Sequence, residues 1–162
     1  MIVLGIDPGT ANTGYGVVRH GSRLVALDGG VIETAAGLPA ERRLTTIHER
    51  VRALIEEHRP DAVALEDLYF GANARSAFAV GQARGVVMLA AGQSGIACSS
   101  YTPQQVKSAV CGTGRADKEQ VGRMVQALLS LERPPTPDHA SDALAVAICH
   151  CNRAPLSAAL SA

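Results

Sequence analysis

At 162 residues the chain is long enough for one domain with a substantial core and short for two. Its composition, 47% hydrophobic and 19% charged with three Tyr, two Phe and no Trp, describes a globular protein with an aliphatic core and excludes a disordered chain. The formal net charge is zero, which argues against a general polyanion binder, and no apolar run reaches the length of a membrane span, so a cytoplasmic protein is expected.

Ile2-Val3-Leu4-Gly5-Ile6-Asp7 reads as a buried strand that ends in a carboxylate and turns at Pro8-Gly9. A carboxylate there is costly unless it is paired, hydrogen-bonded or bound to a metal. Asp7 is therefore the first candidate for chemistry, with a turn cap as the plainer reading. Thr13-Gly14-Tyr15-Gly16-Val17-Val18-Arg19 gives a second strand. Alternation resumes over 23–33, with a bend or bulge expected at Asp28-Gly29-Gly30. Three strands joined by short turns make an antiparallel meander. Leu44, Ile47, Val51, Leu54 and Ile55 recur at helical spacing and predict a helix over 38–59, ended by Arg59-Pro60. Residues 61–67 form a short apolar strand that finishes in Glu66-Asp67.

Residues 73–93 are rich in Ala, Gly and Val. Gly81, Gly85 and Gly92 each cost a helix roughly 1 kcal/mol relative to Ala, so a helix that keeps them points to close approach of a neighbour, a second subunit included. A fifth strand follows over 96–101. Thr102-Pro103-Gln104-Gln105 then supplies an N-cap, a first-position proline and a capping-box glutamine. Residues 112–116 form a basic loop, and a helix is predicted from Asp117. Pro134-Pro135-Thr136-Pro137 breaks the chain before a last helix near Asp138. The predicted order is β-β-β-α-β-α-β-α-α. It describes a single α/β domain over 1–153, with a mixed sheet of about five strands and helices on both faces, and a disordered tail over 154–162. Cys98, Cys111, Cys149 and Cys151 lack a Cys-x-x-Cys spacing, and Cys149-His150-Cys151 has no second half for a metal clip, so free, mostly buried thiols are expected.

The acidic strand ends converge on paper. If the fourth strand runs parallel beside the first, Asp7 and Glu66 become neighbours. His139 and Asp142 lie three residues apart and share a helix face. Three carboxylates and an imidazole in one pocket repel or share protons unless a cation sits among them. Oxygen ligands suit Mg²⁺ or Mn²⁺, and two such ions roughly 4 Å apart are a standard device for phosphodiester hydrolysis. A surface role for Asp142, a loop start at Glu66 and a helix-dipole role for Asp138 remain open on spacing alone. Between residues 67 and 126, six basic side chains face three acidic ones, a local excess that suits phosphates.

Several stretches, taken in order, resemble one family. They are Gly5-Ile6-Asp7-Pro8-Gly9 with Thr13-Gly14-Tyr15-Gly16; Glu66 before Tyr69; Gly81-Gln82-Ala83-Arg84-Gly85-Val86; Gln105-Val106-Lys107 with residues 112–118; and Asp142-Ala143-Leu144-Ala145. Up to about residue 152 the chain is similar to the bacterial RuvC family of Holliday-junction resolvases. The resemblance implies an RNase H-like fold and a homodimer that nicks opposing strands of four-way DNA junctions in recombination and repair. It implies Mg²⁺ or Mn²⁺, two ions per subunit, held by the catalytic set Asp7, Glu66 and Asp142. The family's remaining acidic position falls on His139 here, a departure; His139 is expected to act as ligand or base, with Asp138 as its rival. Tyr69 is implied to stack on an unpaired base, with Phe70 as a packing residue or second contact. Lys107 and Lys118 are implied near the cleaved phosphate, and Arg75, Arg84 and Arg115 as backbone contacts. The glycine-bearing helix becomes the dimer interface, and a RuvA–RuvB type branch-migration complex the partner. An actin-like ATPase or sugar kinase shares the Gly-Ile-Asp-x-Gly-Thr opening but needs a second lobe. An RNA-cleaving relative would share the first strand, and an inactive junction binder would keep the fold and the DNA contacts without cutting.

Overall fold

The computed structural model describes residues 1–67 and 74–160, side chains excepted at 74 and 155–160. Its elements are β1 (Ile2–Asp7), β2 (Asn12–His20), β3 (Leu24–Glu33), α1 (Ala40–His58), β4 (Ala62–Glu66), α2 (Ala74–Gln93), β5 (Ala97–Tyr101), α3 (Pro103–Cys111), α4 (Lys118–Leu128) and α5 (Asp138–Leu160). Three helices follow β5 where the predicted order has two, because the capping signal at Thr102 starts a helix of its own. Thr102 accepts from the Gln105 N–H, and the Gln105 side chain accepts from the Thr102 N–H. Helix α5 runs to Leu160.

The sheet order is β3-β2-β1-β4-β5. The meander β1–β2–β3 is antiparallel, and β4 and β5 join it parallel to β1. The irregularity in β3 falls one residue earlier than the Asp28-Gly29-Gly30 stretch. Asp28 pairs with Val17 and Ala26 with Val18, which leaves Leu27 as the extra residue. Gly29 and Gly30 stay in register, because a bulge is placed by the pairing of two strands and not by local glycine content.

The pleat sends alternate residues to opposite faces. On one face Leu4, Ile6, Val17, Val63 and Leu65 pack against Ile47, Val51, Leu54 and Ile55 of α1 and Ala83, Val87, Ala90 and Ala91 of α2. On the other, Val3, Val18 and Ala64 meet α5, with α3 and α4 closing the cluster through Val106, Val110, Val121 and Val125. Glycines set the spacing of this second face. Gly5 pairs with Gly16, and Gly14 pairs with Asp7, so three bare positions adjoin in the sheet beneath α5. A β-carbon on Gly5 would run into the carbonyl oxygen of Ala143, and one on Gly14 into that of His139. One on Gly16 would lie 2.7 Å from the Leu144 side chain. The helix therefore rests almost backbone to backbone on β1 and β2.

Candidate active site

Asp7 and Glu66 end adjacent parallel strands whose last pairing is Ile6 with Leu65. Leu4 and Ile6 belong to the α1/α2 core, so period-two alternation turns Asp7 to the α5 side, and the same parity turns Glu66 there from β4. The glycine strip then brings in the first turn of α5. His139 Nδ1 lies 2.9 Å from Asp7 Oδ2, across 132 residues of sequence. Asp142, one helical turn on, joins them. One ligand atom from each of Asp7, His139 and Asp142 falls within 4.8 Å of the other two, the geometry of a candidate metal site.

Glu66 stands beside this trio, near enough to Asp7 and Asp142 to feel both charges. Burial, then the negative charges of Asp7 and Asp142, push its carboxyl up to about 7, against the pull of Lys107. Burial also raises Asp142, opposed by Lys118 and reinforced by Asp7. Such crowding of acidic oxygens with one imidazole is what a divalent cation relieves, and the donor set of carboxylates plus one ring nitrogen fits Mg²⁺ or Mn²⁺.

Asp138 takes another direction. It is one residue from His139, roughly 100° around the helix, and its Oδ2 lies 3.2 Å from Lys118 Nζ. The same ammonium is 3.3 Å from Asp142 Oδ2. Burial works against the Lys118 charge, but Asp142 and Asp138 outweigh it and raise the pKa. Of the two rivals for the fourth position, His139 is the one facing Asp7.

Lys107 and Lys118 enter the site from α3 and α4. With Glu66 and Asp142 they line a cavity of about 220 Å³ whose remaining wall is Pro103, Val106, Val121 and Ala145. Arg115 is exposed on the loop between α3 and α4, and Arg75 is exposed in the first turn of α2. Arg84, expected as a contact to the DNA backbone, lies on α2 beside the sheet. Its side chain is 16% exposed and is engaged by the ends of β4 and β5. Tyr69 and Phe70 lie outside the described residues. Sequence reasoning missed the glycine strip and the role of Asp138 toward Lys118. The first had a signal in Gly5, which shares a strand face with Asp7; the second had none.

The cysteines are free, as expected. Cys149 and Cys151 are buried, and burial pushes both thiols up to about 11, the state of inert packing residues. His150 between them is bonded instead to the Tyr101 hydroxyl, 2.8 Å from its Nδ1. Among the described residues no helix is long and apolar enough to cross a membrane.

The family model for "Crossover junction endodeoxyribonuclease RuvC" matches residues 3–150. The chain belongs to the RuvC family. A curated RuvC crossover junction endodeoxyribonuclease from Moorella thermoacetica is 54% identical over 156 residues, covering 96% of this chain and 93% of that one. Among solved structures, RuvC of Thermus thermophilus superposes with a TM-score of 0.90 at 40% identity, covering 97% of each chain. T. thermophilus RuvC in complex with Holliday junction substrate gives 0.89 at 38% identity over 96% of each chain. The mixed five-stranded sheet with its flanking helices is thus the RuvC version of the RNase H-like fold.

Proposed function

We propose that this RuvC-family chain is a homodimeric, divalent-metal-dependent endonuclease that resolves four-way DNA junctions by paired nicks on opposing strands. The observation that carries the reading is the convergence of Asp7, Glu66, His139 and Asp142 at one end of the sheet, next to Lys107 and Lys118. Two ions per subunit would suit this set: Asp7 with His139 and Asp142 would hold one, and Asp7 with Glu66 would hold the other. When bound, such ions lower the pKa of an attacking water and stabilise charge on the leaving oxygen. Lys107 and Lys118 balance the charge of the phosphate and of its transition state. Water attacks phosphorus in line and the bond to the 3′ oxygen breaks, leaving a 5′-phosphate and a 3′-hydroxyl.

The outer surface of α2 supports a dimer. Phe78 is 71% exposed, Leu89 55% and Met88 46%, and Gly85 and Gly92 on the same helix have open space where a side chain would stand. Exposed apolar groups of this size on one helix mark an interaction face. A twofold dimer carries two sites related as the opposing strands of a junction are related. Tyr69 as the base-stacking residue, Phe70 as a second contact, Arg75 and Arg115 as backbone contacts, a RuvA–RuvB type motor as partner and action in the cytoplasm follow from the family resemblance.

The test is to incubate the purified protein with a mobile four-way junction, a linear duplex and an RNA–DNA hybrid, each with Mg²⁺, Mn²⁺ or EDTA. Paired nicks are expected in the junction alone and with metal alone. Failure to nick the junction with either metal would sink the reading. Preferential cleavage of the hybrid would favour an RNA-cleaving relative.

A further inference from the structure

We propose that Arg84 is a positioning residue for Glu66, fixing the end of β4 so that the carboxylate reaches the site, and is not a DNA phosphate contact. The inference rests on the reading of Glu66 as a metal ligand.

Arg84 follows buried Ala83 on α2 and reaches toward the sheet. Its Nη1 donates to the main-chain oxygen of Glu66 at 2.9 Å and lies 3.2 Å from Asp67 Oδ1. Its Nη2 donates to Ser100 Oγ on β5. One planar cation thus ties the last residue of β4, the residue after it and the neighbouring strand. The position is a vulnerable one. β1 pairs with β4 only as far as Leu65, so Glu66 has lost its strand partner on that side. On the other, the Asp67 N–H still donates to the Tyr101 carbonyl at 2.7 Å.

The pleat aims Glu66 at the α5 side only while its peptide stays in the plane of the strand. Rotation of that peptide carries the carboxylate away from Asp7 and Asp142, the two groups whose charge it feels most. A guanidinium resists the rotation because its donors are fixed in a fork and it cannot lose its charge. An ammonium on a flexible stem serves one acceptor well and cannot hold three in register. Those contacts also occupy the side chain: a carbonyl, a carboxylate and a hydroxyl engage both terminal nitrogens, and 16% of it is exposed.

Arg84→Gln and Arg84→Lys are compared with the wild type and with Glu66→Gln in three measurements. These are single-turnover junction cleavage at saturating enzyme, junction Kd as a function of salt without cleavage, and Mn²⁺ affinity from the paramagnetic resonance of the free ion. Both Arg84 variants are expected to cleave about 10²-fold more slowly, the scale of a small misplacement of a reacting group. Mn²⁺ affinity is expected to fall about 10-fold, as for a lost supporting contact to a ligand. Junction Kd and its salt slope stay at wild-type values. Arg84→Lys decides the matter if Arg84→Gln does not fold: it keeps the charge and loses the fork, so recovery of the wild-type rate overturns the proposal. Weaker junction binding with a salt slope shallower by about 1 and an unchanged rate at saturation also overturns it, in favour of a phosphate contact. A fully active Glu66→Gln would instead remove the underlying reading of the site. An inactive Glu66→Gln beside a fully active Arg84→Gln removes only the role given to Arg84.

Discussion

On one face of the sheet α1 and α2 rest on Leu4, Ile6, Val17, Val63 and Leu65; on the other α5 rests on Gly5, Gly14 and Gly16. The first contact is built from side-chain volume and holds the elements together wherever aliphatic groups can interdigitate. The second gives up that volume for proximity. Because α5 lies almost against the backbone of β1 and β2, an imidazole from the helix reaches a carboxylate on the strand at hydrogen-bond distance. One face tolerates repacking and the other does not, since any thickening beneath α5 moves His139 and Asp142 away from Asp7.

Four measurements break or sharpen that contrast. The largest effect is expected at the strand end itself. Asp7→Asn removes the residue common to both proposed ligand groups and should lower cleavage by about 10³-fold or more, while junction binding in a gel-shift or anisotropy assay is kept.

Next come matched substitutions on the two faces. Ile47→Ala empties part of the α1 core and should cost about 2–5 kcal/mol in a denaturant melt, with cleavage per folded molecule unchanged. Gly14→Ala should cost about 1–3 kcal/mol as an overpacked position, and the folded fraction should also lose activity because the added carbon meets the main chain of His139. If Gly14→Ala keeps full activity per folded molecule, the link between helix spacing and chemistry is wrong.

The third pair separates neighbours on α5. His139→Ala should lower cleavage by about 10²-fold. Asp138→Ala, which removes only one of the two carboxylates around Lys118, should change it by no more than a few-fold, as for an exposed ion pair. The reverse order would assign the fourth position to Asp138.

The smallest effect is a slope. Without metal, the folded protein holds the Glu66 proton up to about pH 7, against an ordinary value of 4.5. A raised carboxyl stabilises the fold fully below about pH 4.5, and the contribution is lost as pH rises through about 7. Allowing for partial exposure, the loss is on the order of 1–2 kcal/mol. It should appear in EDTA as a fall in the melting temperature that Glu66→Gln flattens. Mg²⁺ or Mn²⁺ should restore more stability at pH 8 than at pH 5, because the ion must displace that proton. Identical pH profiles for the two proteins would remove this account of Glu66.

The sequence made the strand ends legible because apolar runs that stop in a carboxylate are rare and costly. It made α1 and the starts of α3 and α4 legible because their signals are local: Leu44 to Ile55 by period, Thr102 by capping chemistry, and the helix from Asp117 by the apolar residues that follow it. What it hid depends on pairing or direction. The bulge sits at Leu27 and not at the glycines because register belongs to two strands at once. The choice between Asp138 and His139 needed the rotation of α5 about its axis. The partners of Arg84 carry no local signal, since a charge in a sequence has no direction and Glu66, Asp67 and Ser100 meet only in the folded chain.

The position of α5 in the chain has its own consequence. This helix follows every strand of the sheet in chain order, yet it touches all five and supplies half of the proposed ligand set to Asp7 on the first of them. A nascent or truncated polypeptide that ends before Asp138 has every strand of the sheet but no assembled nuclease. Closing a loop of such length is also slow relative to local contacts. The ligand set is therefore assembled only together with the fold, and a copy cut short before Asp138 holds two of its four residues.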